Sequence, residues 1–249
     1  MTVNSSVSNG PLENKKKSFQ KETNHLVGKD QLVAPLLNSW CKTFLAIYIF
    51  RVCNSLLIKT VFNPDEYWQS LEIASYHIFG MGHLTWEWVY GIRSFTFPAI
   101  FAIVFKFLKV FGLDNSSLFI LAPKLIQSIF AATNDLFVYL IAVKLFNSKV
   151  AKIALLFSLT SWFNYFASVR ILSNVLESTV TIIAFYYWIP LIYNLKKNDS
   201  LPVYDLVKVV CLISLGPFIR TSNIIIAVYF LSILFFNIRD FNRFYNVFG

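Results

Sequence analysis

Charged residues are scarce in this chain of 249 residues, and acids are scarcer than bases. Only 14% of the residues are charged, against about 25% in typical globular proteins. The hydrophobic share of 56% excludes a disordered chain and, with so little charge, argues against an ordinary soluble domain. The formal net charge of +9 does not by itself indicate nucleic-acid binding, because basic residues beside membrane spans commonly set topology.

Cysteine and histidine are too few and too scattered for a disulfide or metal framework. The three cysteines, Cys41, Cys53 and Cys211, lie in or beside apolar segments at unrelated spacings, which is typical of packing residues. His77 and His83 share one loop without a convergent cysteine or third histidine, and such a set is poor for zinc. We therefore expect no metal and no resident cofactor.

Long apolar runs are abundant, and they predict an all-α polytopic membrane protein. Several runs approach the roughly 20 residues that cross a bilayer. The segment 95–111 is short and carries Lys106 and Lys109, so we predict an interfacial or re-entrant helix there. Gly216 and Pro217 form a potential helix break. The predicted spans are residues 43–61, 118–145, 153–169, 178–195, 205–219 and 221–238.

Basic clusters predict the orientation of these spans, because loops rich in lysine and arginine stay on the cytosolic side. Residues 1–42 are predicted to be a largely disordered basic cytosolic tail. Residues 43–249 are predicted to be a transmembrane region in which loop 63–117 faces the lumen. The clusters are Lys15, Lys16, Lys17, Lys21 and Lys29, then Lys144, Lys149 and Lys152, then Lys196 and Lys197, and finally Arg239 and Arg243.

The luminal loop begins with Asn-Pro-Asp-Glu at residues 63–66, a good helix start. Asn63 can cap the helix, Pro64 suits its first position, and Glu66 completes an arrangement similar to a capping box. Asp65 and Glu66 could therefore serve only the helix dipole. Alternatively, a carboxylate held at this boundary could take the proton of a sugar hydroxyl that attacks a lipid-phosphate sugar.

Helical spacing places Asp65, Gln69 and Glu72 on one face of this segment. The adjacent face carries Glu66, Ser70, Ile73 and His77, and both faces are polar enough to line a cleft.

Trp86, Glu87 and Trp88 place a carboxylate between two indoles. Aromatic faces stack on sugars and carboxylates bind sugar hydroxyls, although tryptophan also favours membrane interfaces without any catalytic role. All three are candidate substrate-binding residues.

Arginines recur on the predicted luminal side and are candidates for binding a phosphate. They are Arg93, Arg170 and Arg220. Each could instead snorkel or form an ion pair, for example Arg170 with Glu177. Asn174 and Glu177 are further candidate substrate-binding residues.

Asp135 lies inside the predicted span 118–145, where an acid is costly and is a functional candidate by default. It could equally pair with Arg51 of the first span.

The string NPDEYWQSLEIASYHIFGMGHLTWEW, followed by IRSFTFP, resembles the first luminal loop of glycosyltransferase family 22. The likeness is to the branch that adds the third mannose of the GPI anchor. It continues through APKLIQSIFAATNDLFVYL and SWFNYFASVRILSNVLES, so that it covers roughly residues 40–190. The Asp-Glu-Tyr-Trp-Gln and Thr-Trp-Glu-Trp strings together are highly specific.

The resemblance implies the GT-C fold, with the enzyme in the endoplasmic-reticulum membrane, its N-terminus cytosolic and its catalytic loop luminal. It implies α1,2-transfer of mannose from dolichol-phosphate-mannose, as substrate, to a GPI glycolipid by an inverting single displacement. Asp65 is then the catalytic base, with Glu66 its partner in the motif. No nucleic acid is expected, and no protein partner is indicated. Members of the family are usually much longer, so we expect its C-terminal segments to be absent here.

Other functions stay open at this point. One is a related dolichol-phosphate-mannose-dependent transferase of N-glycan synthesis, and another is an inactive membrane subunit. A third is a transporter or lipid scramblase that uses Asp135, Arg51 and Glu177 along a polar pathway. It predicts that Asp135 matters more than Asp65, although the paired halves or broken helices of many transporters are not evident.

Overall fold

The computed structural model describes residues 33–115, 117–197 and 203–237, and every regular element in these ranges is helical. The chain divides into two compact units, residues 1–43 and 44–249, and the site described below belongs to the second. Most of the predicted cytosolic tail lies outside the described residues, as do Arg239 and Arg243.

The helices follow one another with short connections. A π-helical turn, Tyr67–Leu71, precedes α2, and a 3-10 turn, Thr221–Asn223, precedes α10. The α-helices of the described ranges are α1 Val33–Leu57, α2 Glu72–Phe79, α3 Trp86–Val89, α4 Thr96–Val110, α5 Leu118–Leu145, α6 Ser148–Thr160, α7 Trp162–Ala167, α8 Ser173–Lys197, α9 Val203–Ile219 and α10 Ile224–Asn237.

Each predicted apolar span corresponds to helical structure, and α5 coincides with the predicted residues 118–145. Its 28 residues, at about 1.5 Å each, extend about 42 Å, more than the roughly 30 Å of a bilayer core. By length and composition, α5 and residues 173–195 of α8 are the two described helices that could cross a membrane. The number and orientation of the spans stay predictions.

Several helix boundaries differ from the predictions. Helix α1 begins at Val33, inside the predicted tail. The predicted span 153–169 is two helices, because Ser161 adopts extended ψ of 121° between α6 and α7. Conversely, α9 continues through Gly216 and Pro217 and ends at Ile219, so the expected break there is wrong.

Helix α4 occupies the segment predicted to be interfacial or re-entrant, and its two faces differ in burial. Phe97, Phe101, Phe105 and Leu108 recur at helical spacing and are buried. The opposite face is apolar and exposed, and is formed by Ile103, Phe107 and Val110. An exposed apolar face of this kind fits contact with lipid, as the prediction requires.

Two buried clusters hold the helices that carry the site. The first packs α2 and α4 against α8 and α9, with Phe101 and Phe105 at its centre. The second packs α8, α9 and α10 through residues such as Leu191, Val209 and Phe230. The acidic loop is thereby fixed beside the start of α8 and the end of α9.

Candidate active site

The acidic loop starts with the capping arrangement that the sequence predicts. The Asn63 Oδ1 atom accepts a hydrogen bond from the Asp65 backbone N–H at 3.1 Å. The Glu66 Oε1 atom accepts from the backbone N–H groups of Asn63 and Phe62, at 3.3 and 3.0 Å. Amide donors that have no helical partner are thus satisfied by side chains, which fixes the direction in which the loop leaves α1.

Glu66 is buried and fastened to the turn between α7 and α8 by Arg170. The Arg170 Nη1 atom donates to Glu66 Oε1 at 2.9 Å and to the Thr60 carbonyl at 2.7 Å. The guanidinium also lies 4.1 Å from the Phe166 ring centre. The suggested pairing of Arg170 with Glu177 is therefore wrong. Because Arg170 is buried and engaged, it is poorly placed to meet a phosphate.

The two faces of the π-helical turn differ in burial. Glu66, Ser70 and Ile73 are buried, whereas His77, at the far end of the same face, is exposed. Most of this face therefore packs inside the protein. Asp65 and Gln69, on the other face, are both partly exposed. Asp65 and Gln69 are therefore open to a ligand.

The Asp65 carboxylate has no protein partner within the described ranges. Its backbone N–H is capped by Asn63, but no described donor bonds its side chain and no described cation pairs with it. The adjacent Glu66 has three donors on a single oxygen. The dipeptide therefore contains one acid that is structurally occupied and one that is available.

Glu72, which is predicted to bind substrate, accepts a hydrogen bond from the turn at Gly82 and His83. Its Oε1 atom accepts from the His83 backbone N–H at 3.0 Å. Gly82 has φ of +141°, and a Cβ there would lie 3.1 Å from the Glu72 carbonyl oxygen, so only glycine fits readily. The substrate-binding role of Glu72 stays a prediction.

A cleft of about 270 Å³ lies between the loop, the start of α8 and the 3-10 turn. Trp88 contributes to its wall, whereas Trp86 is 64% exposed and does not line it. Several predicted site residues that are far apart in sequence meet in this space. Its polar lining consists of Gln69, Glu87, Arg93, Ser94, Ser173, Arg220, Thr221 and Ser222.

Glu87 and Arg93 form a two-point ion pair at the cleft, a geometry that suits guanidinium and carboxylate. Arg93 Nε lies 2.5 Å from Glu87 Oε2, and Nη2 lies 3.1 Å from Oε1. The hydrogen bond from Arg93 lowers the pKa of Glu87 below its ordinary value. Glu87 is therefore an anion at neutral pH, suited to accept hydrogen bonds from sugar hydroxyls.

Arg220 is held more loosely. Its Nε atom lies 3.4 Å from Glu177 Oε2, and no described residue accepts a hydrogen bond from its guanidinium. Glu177 is steadied by Asn223, whose Nδ2 donates to Oε1 at 3.1 Å. Gly216 makes this possible, since a Cβ there would lie 2.7 Å from the Asn223 side chain. Among the described arginines, Arg220 thus combines exposure to the cleft with donors that are not engaged.

A second cavity, of about 360 Å³, adjoins the first. Asn174 and Glu177 lie on its wall, and the Arg220–Glu177 ion pair stands between the two spaces. We call the second cavity the α8–α10 groove, after the helices that form it. Its lining residues are Asn174, Glu177, Ser178, Thr181, Ile182, Phe185, Asn223, Ile226 and Phe230.

Asp135 pairs with Arg51, as one of the two sequence interpretations proposes. Arg51 Nε and Nη2 donate to its two carboxylate oxygens at 2.6 and 3.0 Å. Ser158 Oγ adds a third hydrogen bond at 2.6 Å, and Arg51 also reaches the Asn164 carbonyl. Both carboxylate oxygens of Asp135 therefore accept hydrogen bonds from the protein, and Asp135 lines neither cavity.

Metal-binding groups do not converge in the part of the chain that the structure describes, where no cluster of three histidine, cysteine or acidic residues could hold an ion. This finding concerns the described ranges only, so the expectation of a metal-free protein stays a prediction.

The fold and the site together define an all-α membrane protein of the GT-C type, with an acidic loop over a polar cleft. The chain belongs to the Alg9-like mannosyltransferase family, whose pattern it matches over residues 42–248. No solved structure matches it.

Curated relatives come from plants, fungi and animals. The chain is 48% identical to Mannosyltransferase APTG1 of Arabidopsis thaliana over 59% of its own length and 27% of that protein. It is 41% identical to GPI mannosyltransferase 3 of Schizosaccharomyces pombe over 83% of its length and 42% of that protein. It is 38% identical to GPI alpha-1,2-mannosyltransferase 3 of Homo sapiens over 71% of its length and 30% of that protein. The chain therefore spans less than half the length of these relatives.

Proposed function

We propose that this protein transfers mannose from dolichol-phosphate-mannose to a GPI precursor, adding the third mannose in an α1,2 link on the luminal side of the endoplasmic reticulum. The names of the relatives support the acceptor and the linkage. The observation that carries the proposal is the Asp65 carboxylate, which has no described partner and lies on the same helical face as Gln69, a residue that lines the cleft with Arg220. An acid that can accept a proton and a cation that can bind a phosphate are what this reaction requires.

The proposed step is a single displacement at the anomeric carbon. The acceptor hydroxyl oxygen forms a new bond to that carbon while the bond to the phosphate oxygen breaks. Asp65 takes the hydroxyl proton, and the bonding electron pair leaves with the lipid phosphate. A β-linked donor then gives an α-linked product, so one base suffices and no covalent enzyme intermediate forms.

Asp65 is the better candidate for the base because its neighbour has another role. Glu66 already accepts hydrogen bonds from Arg170 and from two backbone amides, all on its Oε1 atom. Protonating it would also leave Arg170 buried without its counter-charge, which is costly. We therefore assign Glu66 and Arg170 to positioning the loop, and proton transfer to Asp65.

Arg220 is the candidate ligand for the donor phosphate. Arg51 and Arg170 are buried, and Arg93 is engaged at two points by Glu87. Arg220 makes a single contact at 3.4 Å and opens to the cleft, so it can turn toward a phosphate at little cost. Glu87 and Trp88 then provide a carboxylate and an aromatic face for the sugar.

The lipid intermediates that accumulate when the gene is inactivated test this assignment. A GPI precursor with two mannoses should build up, because its third mannose cannot be added. Truncated N-glycan precursors would instead assign the protein to a sister transferase. Re-expression of the complete protein should clear the intermediate. The same test with residues 1–249 alone asks whether this chain carries the activity by itself.

A further inference from the structure

We propose that the α8–α10 groove binds the polyprenyl chain of the donor, next to a phosphate held at Arg220. The inference rests on the proposed function and names the part of the molecule that would hold the lipid. The groove and the cleft meet at the ion pair between Arg220 and Glu177, so a single ligand could occupy both.

The groove changes from polar to apolar along its length. Glu177 and Asn223 form its polar end, beside the cleft. Ile182 and Phe185 follow on α8, and Ile226 and Phe230 follow on α10. Glu177 and Phe185 are eight positions apart on one helix, or about 12 Å. Both helices start at the polar end, so their apolar side chains lead away from the predicted luminal surface.

At the polar end of the groove, the negative charge of Glu177 is partly offset by its neighbours, which weakens its repulsion of a phosphate. Asn223 is 2% exposed and donates to both Glu177 and Thr181 at 3.1 Å. Glu177 thus has a neutral donor on one oxygen and Arg220 near the other. Local charge is balanced inside the groove, while the uncommitted guanidinium donors of Arg220 favour an anion at the cleft.

The chemistry of the two lipid substrates favours the donor as the occupant. In the donor, the phosphate is bonded both to the transferred sugar and to the polyprenyl chain. The chain must therefore begin within one phosphate of the reacting carbon, which is where the groove begins. In the acceptor, the reacting hydroxyl is on the second mannose, several groups away from its lipid. Its acyl chains would not start at the catalytic cleft.

Photo-crosslinking tests the inference on the complete protein in its membrane. The probe is a polyprenyl phosphate with a photoreactive group near its phosphate end. Labelling should map to peptides that carry residues 177–185 and 223–230. Ile226→Trp should reduce it by about tenfold, equivalent to roughly 1.4 kcal/mol of lost apolar contact. Ile226 is 40% exposed at the rim, so the larger side chain can cover the groove without a core clash.

Matched controls keep the result decisive. Ile225→Trp makes the same substitution on the next residue, which is 78% exposed and does not line the groove, so labelling should be unchanged. If Ile226→Trp does not accumulate, Ile182→Trp replaces it, with Ile183→Trp as its control. Excess unlabelled polyprenyl phosphate should displace the probe, and a two-chain GPI glycolipid should not.

Three outcomes would overturn the groove assignment: labelling at other peptides, equal losses in the two tryptophan variants, or displacement by the glycolipid. These outcomes are separate from a failure of the proposed function, because labelling requires no mannose transfer. Labelling elsewhere in a protein whose loss accumulates the two-mannose precursor refutes the groove alone. Groove labelling without that precursor supports the lipid site and refutes the assigned reaction.

Discussion

Two regions of this molecule each contain an aspartate and an arginine, but they differ in whether these side chains are paired. Inside the helix bundle, Arg51 donates two hydrogen bonds to the Asp135 carboxylate, and Ser158 donates a third. In the acidic loop Asp65 has no described partner, and at the cleft Arg220 has only a distant one. The first cluster is closed and holds helices together, whereas the second is open and can receive a ligand.

The comparison changes how acids in an apolar chain should be interpreted. An intramembrane acid is a functional candidate from its sequence position alone, and on that rule Asp135 would rank first. Its partners in the structure indicate a structural role instead. The same distinction applies within one dipeptide, since Glu66 is buried against Arg170 and Asp65 is not. Whether hydrogen-bonding capacity is already used is therefore more informative than the residue type.

The largest effect should come from removing the available acid. Asp65→Asn keeps the shape of the side chain but cannot accept the proton, so transfer should fall by about 10²–10⁴. The amount of folded protein should hardly change, because no described residue bonds to this carboxylate. Mannose transfer by purified membranes, normalised to protein level, measures both. Near-normal transfer would remove Asp65 as the base.

Breaking the closed cluster should reduce stability. Asp135→Ala leaves the Arg51 charge buried without a partner, which typically costs about 3–5 kcal/mol. Thermal unfolding in detergent, together with the level of protein in membranes, reports the loss. The double variant Arg51→Met with Asp135→Leu should recover most of it, because the uncompensated charge is gone. A stable Asp135→Ala protein that lacks transfer would favour a direct role for Asp135 in the reaction.

Arg220→Gln should weaken donor binding more than turnover. Hydrogen bonds to charged groups contribute about 1.5–3 kcal/mol, so the donor KM should rise by about ten- to hundredfold. Arg220→Lys should retain part of the affinity, because a charge remains without the two-point geometry. Arg93→Gln is the comparison, and its effect should be smaller because Glu87 already engages that arginine. A larger rise in donor KM for Arg93→Gln than for Arg220→Gln would assign phosphate binding to Arg93 instead.

A small pH effect should come from the Glu87–Arg93 pair. The hydrogen bond from Arg93 lowers the pKa of Glu87 in the folded protein below its ordinary 4.5. Its stabilising contribution is therefore complete above that ordinary value and is lost as the pH falls through the lower, folded value. Unfolding of the wild type should show a slightly steeper loss of stability in acid than unfolding of Glu87→Gln. Identical profiles would show that the pair is broken in solution.

Much of the helical framework could be predicted from hydropathy. Helix α5 matches its predicted bounds, and the segment 95–111 is helical as expected. The break at Ser161 was not predicted, because the segment is apolar overall and no proline or glycine marks the position. Local patterns describe which segments are apolar, whereas interruptions inside them depend on packing with other helices.

Local contacts of the candidate site could be predicted from the sequence, whereas its long-range pairings could not. The capping arrangement of Asn63 and Glu66 involves neighbours in sequence and could be derived from spacing. The contact between Arg170 and Glu66 joins residues 104 positions apart, and no local pattern contains that information. Asn223 was missed entirely. The adjacent Gly216 offered a weak signal, since a glycine inside an apolar helix often marks a close contact.

Accessibility of position 65 tests the central claim most directly. The three native cysteines are exposed and would be replaced by serine, and single cysteines would then be introduced as Asp65→Cys or Ser70→Cys. Ser70 is fully buried five residues along the same loop, and serine to cysteine changes little in shape. A membrane-impermeant thiol reagent should label only the cysteine at position 65, and only from the luminal side. Labelling of that cysteine from the cytosol, or equal protection of both positions, would contradict the account.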